Sequence, residues 1–129
     1  AEGVQVGTRF ALTDESSASE LFKQRCVNLP EGDTILSLKK VSPTRLIKNE
    51  FYYQIQELED KGASAEEIRE LLGRGRTRKG IFEGDLVDGE LEIGQIASSI
   101  PSIISAGQVV KEMISEFNEI AIDMCNMKF

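Results

Sequence analysis

The chain has 129 residues, 40% hydrophobic and 29% charged, a composition that suits one globular domain and argues against a long disordered segment. With 22 acidic residues against 15 basic the net charge is −7, so broad binding to nucleic acid or to an anionic membrane surface is not expected. There is no histidine, which removes the commonest general base and metal ligand, and Cys26 and Cys125 form no CxxC or metal-ligand spacing. Two free thiols, no metal site and a reducing cytoplasm are the expectation.

In chain order, Val4, Val6, Gly7 and Thr8 read as a short buried strand ending in a turn, with Phe10 and Leu12 extending it. Ser17-Ala18-Ser19-Glu20 has capping-box spacing and predicts a helix through about Cys26. Thr34 to Lys39 is a second short strand. Ser42-Pro43 supplies an N-cap with proline at the first helical position, and Ile47, Phe51, Ile55 and Leu58 form one apolar stripe on a helix ending near Gly62. Ser64-Ala65-Glu66-Glu67 is another capping box, opening a short helix that stops at Gly73. From Gly73 to Gly94 glycines recur without helical period, which predicts a long ordered loop. Val109, Val110, Met113, Ile114, Phe117, Ile120, Ala121 and Met124, at steps of three and four, predict a final helix. The uncharged run from Ile93 to Val110 holds Pro101 and several polar residues, so no membrane span is expected, and no signal peptide opens the chain.

Three constellations can carry chemistry. A strand ending at Gly7-Thr8 lets backbone amides and the Thr8 hydroxyl approach a phosphate, although from these residues alone a plain strand turning at glycine is the simpler expectation. Arg74, Arg76, Arg78 and Lys79 form a basic cluster that matches no phosphate-loop pattern. Glu83, Asp85, Asp88, Glu90 and Glu92 follow directly and miss the calcium-loop spacing, so local pairing with those cations is the simpler expectation. No Ser/His/Asp or Cys/His set can be assembled.

Glu2-Gly3-Val4-Gln5-Val6-Gly7-Thr8-Arg9-Phe10 resembles the last barrel strand of nitronate monooxygenases (2-nitropropane dioxygenases) and of the flavin-dependent enoyl-ACP reductases. The likeness continues, in order and spacing, through Leu71-Leu72-Gly73-Arg74-Gly75 and Phe82-Glu83-Gly84-Asp85 to Gly94-Gln95-Ile96-Ala97. It implies an α/β fold: the C-terminal fragment of an FMN-binding TIM barrel, itself mostly helical with one or two short strands. Residues 1–28 would be the last barrel strand and the helix after it, and residues 29–129 a helical, glycine-rich region packed on the barrel. Gln5, Val6, Gly7 and Thr8 would match the FMN-phosphate motif, with Gln95 near the flavin or substrate mouth. The implied substrates are an alkyl nitronate or an enoyl thioester, with NAD(P)H as co-substrate in the second case, in a cytoplasmic homo-oligomer that binds no nucleic acid and no membrane. The resemblance implies no catalytic residue in this chain, because the family's catalytic histidine would precede Ala1. Ala1 would then be a start inside a longer product, inactive by itself. The competing expectation is a stand-alone helical interaction module.

Overall fold

A computed structural model describes residues 2–127. Residues 2–7 adopt no regular structure and Val4 is 84% exposed, so the strand expected over Val4 and Val6 is absent. A strand needs a hydrogen-bonding neighbour, and among the described residues none runs beside this segment. Phe10 and Leu12 do not extend a strand either. Thr8–Ala11 forms a single helical turn, α1, closed by the Ala11 amide donating to the Gly7 carbonyl at 2.9 Å.

Helix α2 spans Glu20–Val27, and its cap is Ser19, whose hydroxyl accepts from the Phe22 amide. The sequence put the cap at Ser17; the serine with extended backbone and the amide three residues on is Ser19. Phe22 and Cys26 face the core, and buried Lys23 donates to the Thr13 carbonyl at 3.1 Å, fastening the helix to the segment after α1.

Strand β1, Thr34–Ser37, pairs antiparallel with β2, Thr44–Ile47, Thr34 opposite Ile47 and Ser37 opposite Thr44. Here the sequence expectation of a helix from Ser42 fails. Ile47 belongs to β2, and helix α3, Glu50–Asp60, starts behind Asn49, seven residues after the expected cap. The Asn49 side chain makes that boundary: its Oδ1 accepts from the Tyr52 amide at 3.0 Å, while Nδ2 donates to the carbonyls of Leu86 (3.1 Å) and Gly89 (2.8 Å). Ile47 fits both periods, since it is buried opposite Thr34 in the hairpin and precedes Phe51 by four. Helix α4, Ala65–Leu72, opens with the capping box Ser64 and Glu67, as expected.

Residues 91–93 lie along the free edge of β2: the Ile47 amide donates to the Leu91 carbonyl at 3.0 Å and the Ile93 amide to the Arg45 carbonyl at 3.2 Å. One core, built on Leu12, Phe22, Cys26, Ile47, Leu91, Ile93 and Ala97, therefore lies between α2 and this edge. A second, with Leu38, Leu46, Phe51, Ile55 and Ile68, joins the hairpin to α3 and α4. Leu38 enters it from a left-handed backbone (φ 58°), a cost of about 1–2 kcal/mol that full burial of a leucine offsets.

The last helix, α5, runs over Ala106–Asn126 behind the cap Ser105. Val109 is buried against the rest of the protein, but Val110, Ile114, Phe117, Ile120 and Met124 are exposed, Phe117 at 70%. No helix among the described residues is long and apolar enough to cross a membrane.

Candidate functional site

Gly7 and Thr8 sit at the entrance to α1, and the structure joins them to the far end of the glycine-rich segment. The Thr8 hydroxyl accepts from the Gly94 amide at 3.1 Å, and any side chain at Gly94 would collide with it. A groove of about 400 Å³ opens there, lined by Gly7, Thr8, Arg45, Glu92 and Gly94 among others. A Cβ added to Gly7 would meet nothing within 4 Å, and no side chain caps α1. The Thr8 hydroxyl keeps its own proton free to donate outward. Of the sequence-expected residues, Gly7 and Thr8 therefore line one groove, whereas Gln5 is exposed, Val6 half-buried, and neither lines it.

Gln95 lies elsewhere, in a second cavity of about 360 Å³ that it shares with Ser98, Ser99, Thr34 and Arg45. Arg45 lines both spaces. Sequence reasoning missed it because β2 was assigned to a helix; read as a strand, Thr44–Ile47 puts Arg45 and Ile47 on one side, and only a cation there has a reason to face polar space. Glu92, opposite Leu46 across the edge of β2 and lining the same groove as Arg45, has its carboxyl held above the usual range, first by desolvation and then by neighbouring Glu90.

Three of the four cations in the basic cluster are engaged locally, and Arg74 lines a small cavity beside Arg76 and Lys79. Arg76 lies over the Phe51 ring, 4.7 Å from its centroid, and donates to the carbonyls of Leu71, Leu72 and Asp88. Arg78 pairs with Glu83 at 3.0 Å, and Lys79 with Asp85 at 2.8 Å. Asp85, hydrogen-bonded by Lys79 and by the Asp88 and Val87 amides, is held down at about 2. Local pairing, expected from the interleaved signs, holds for Arg78 and Lys79, whereas Arg76 bonds to carbonyls and Glu90 accepts from the Thr77 hydroxyl. Within the segment, Gly80 and Gly89 touch so closely that a side chain on either would strike the other's backbone or that of its neighbours. Among the described residues no group of His, Cys, Asp and Glu is arranged to hold a metal ion.

The family model described as nitronate monooxygenase matches residues 1–116. This chain belongs to the nitronate monooxygenase family. Among curated proteins it is similar to the probable nitronate monooxygenase of Staphylococcus saprophyticus, 31% identical over 121 residues that cover 93% of this chain and 34% of that protein. It is also similar to the probable nitronate monooxygenase of Staphylococcus haemolyticus, 40% identical over 60 residues, 46% of this chain and 17% of that one. Among solved structures, FabK from Thermotoga maritima superposes with a TM-score of 0.86 at 31% identity, covering 98% of this chain and 40% of that chain. A point mutant of FabK from the same organism gives 0.76 at 28% identity, covering 98% and 37%. The chain thus spans about a third of the length of the curated relative it matches over most of its own length. The family expected from the Gln5-Val6-Gly7-Thr8 motif is the one these relatives define, and the mixed fold, mostly helical with a short two-stranded sheet, matches FabK over nearly the whole chain.

Proposed function

We propose that this chain supplies the phosphate end of the flavin site in an FMN-dependent TIM-barrel oxidoreductase. Gly7 and Thr8 would hold the phosphate through their backbone amides and the Thr8 hydroxyl, with Gln5 and Val6 placing the turn. The observation that carries this reading is the groove at the start of α1, where Gly7 faces open space and the first amides lack a side-chain cap. Such amides suit an anion, because backbone N–H groups without intrahelical partners are satisfied by a bound oxyanion. Glycine at position 7 keeps the approach clear, and the bond from the Gly94 amide fixes the Thr8 hydroxyl oxygen so that its proton can aim outward.

Bound FMN would supply the redox chemistry, and these residues would bind and orient it. The substrate is an alkyl nitronate in the reading favoured by the family model and both curated relatives. The FabK superposition favours the second reading, reduction of an enoyl thioester with NAD(P)H. Neither assigns a catalytic residue here, since the chain has no histidine. Residues 1–28 would border the flavin and residues 29–129 pack beside the barrel, in a cytoplasmic protein that acts on small molecules.

We further propose that the isolated chain self-associates through α5. Antiparallel pairing of two copies about Phe117 would set Val110 against Met124, Ile114 against Ile120, and Lys111 against Asp123. Parallel pairing would instead align Glu112, Glu116, Glu119 and Asp123 with themselves.

The test of the flavin reading is the FMN content of the gene product that carries this segment, purified as wild type and as Gly7→Leu. One FMN per chain in the wild type and a loss of about tenfold or more in retention in the variant are expected, the worth of one or two charge-assisted hydrogen bonds. A colourless wild type, or unchanged flavin in Gly7→Leu, would refute the assignment.

A further inference from the structure

We infer that the cavity between the hairpin and residues 95–99 is an oxyanion-binding site organised by Arg45, which it shares with the groove at Gly7 and Thr8, and separated from that groove by its other lining residues. Its volume, about 360 Å³, lies within the range of small-ligand pockets. Its lining is polar in one sense: Gln95, Ser98 and Ser99 present an amide and two hydroxyls, none of which is hydrogen-bonded within the described residues. Arg45 supplies the only cation in that lining.

The state of Arg45 points to a ligand. Its side chain is half-buried, and one nitrogen, Nη1, donates to the Thr34 carbonyl at 3.0 Å and to the Thr34 hydroxyl at 3.3 Å. Those bonds tether one end of the guanidinium, and its other N–H groups have no protein acceptor among the described residues; Arg45 lines both this cavity and the neighbouring groove. No carboxylate among the described residues pairs with it. Asp33, next to Thr34, is occupied by Arg25 (3.5 Å) and Lys48 (3.3 Å), so two cations share that single acid. Elsewhere Arg69, Arg78 and Lys79 have acid partners, while Arg9 and Arg76, which have none, spend their N–H groups on two and three backbone carbonyls. A half-buried arginine tethered through one nitrogen to the Thr34 carbonyl and hydroxyl, sharing a cavity with neutral donors, is an arrangement that receives a carboxylate or a phosphate. Glu31 is the one acid in the lining, and it is exposed. The shared chemistry is a small oxyanion-bearing molecule, a phosphate ester or a carboxylate.

The inference goes beyond the flavin reading, and its test separates the two. Inorganic pyrophosphate and, separately, succinate are titrated into the isotope-labelled gene product that carries this segment while the amide resonances of Gln95, Ser98, Ser99, Gly7 and Thr8 are followed. Saturable shifts at Gln95, Ser98 and Ser99 are expected with one of the two, pyrophosphate identifying a phosphate ligand and succinate a carboxylate. Arg45→Gln should weaken that binding about tenfold, and Gln95→Ala, at an exposed position that leaves the hairpin intact, about threefold. Shifts confined to Gly7 and Thr8 would support the flavin-phosphate groove and overturn this site. Absence of saturable binding at Gln95, Ser98 and Ser99, or equal affinity in the wild type and Gln95→Ala, would overturn it as well.

Discussion

The glycine-rich segment from Gly73 to Gly94 and helix α5 invert the usual relation between regular structure and fastening. The segment has no sustained period, yet Lys79 and Asp85 brace it internally, Arg76 ties it to α4 through Leu71 and Leu72 and to α3 through Phe51, Asn49 at the start of α3 holds Leu86 and Gly89, and its end pairs with β2. Helix α5 has the cleanest apolar period in the chain, and beyond Val109 most of its apolar residues are exposed. Periodicity says that a face exists. It does not say what covers it. A segment without period can still be rigid when its donors and acceptors meet neighbours that are distant in sequence.

The contrast can be broken at its tightest point first. Gly89→Val would push a side chain into the backbone of Asp85 and Gly80, and relief of that overlap requires the segment to move. A loss of about 3 kcal/mol or more is expected in denaturant unfolding, enough to unfold a marginal domain. An unchanged midpoint would mean that Gly80 and Gly89 do not touch in solution.

Arg76→Ala removes three hydrogen bonds to carbonyls and the stack on Phe51. About 2–3 kcal/mol is expected, with Arg76→Lys recovering only part because it cannot span the same carbonyls. Full recovery by lysine would show that charge alone matters there.

On α5 the expectation is opposite. Phe117→Ser changes a 70%-exposed residue and should alter stability by no more than about 0.5 kcal/mol, while shifting the mass measured by light scattering from dimer to monomer. A wild type that is monomeric at high concentration removes the pairing, and a large loss of stability in the variant would show that the face is already covered within one chain.

The smallest effect sharpens the same comparison at the thiols. Burial pushes Cys26 up to about 12, whereas Cys125 is exposed near the end of α5. An alkylating reagent at mildly alkaline pH should modify one thiol per native chain, at Cys125, and two after denaturation, counted by intact mass. Native modification of Cys26 would mean that α2 opens readily.

What could be read in the sequence follows the same division. The capping box at Ser64 and Glu67, the stripe through Phe51 and Ile55, and the period of α5 are local signals, and they name their elements correctly. The start of α3 was misplaced because Ser42-Pro43 satisfies local capping rules while Thr44–Ile47 is held in the hairpin by Thr34–Ser37 and by residues 91–93, contacts no short window contains. The strand at Val4 and Val6 failed for the converse reason: its pattern is strand-like, and no described residue supplies the partner. Of the candidate site, Gly7 and Thr8 were legible as a motif, but their link to Gly94 crosses 86 positions and the role of Arg45 depends on a strand the pattern concealed.

The most direct test of the flavin assignment compares FMN with riboflavin, which lacks the phosphate, on the gene product that carries this segment after removal of any bound flavin. If Gly7 and Thr8 hold a phosphate, FMN should bind about 10- to 100-fold more tightly than riboflavin by fluorescence titration, and Gly7→Leu should erase most of that difference while leaving riboflavin affinity nearly unchanged. Equal affinities for the two flavins in the wild type, or a preference for FMN that survives Gly7→Leu, would contradict it.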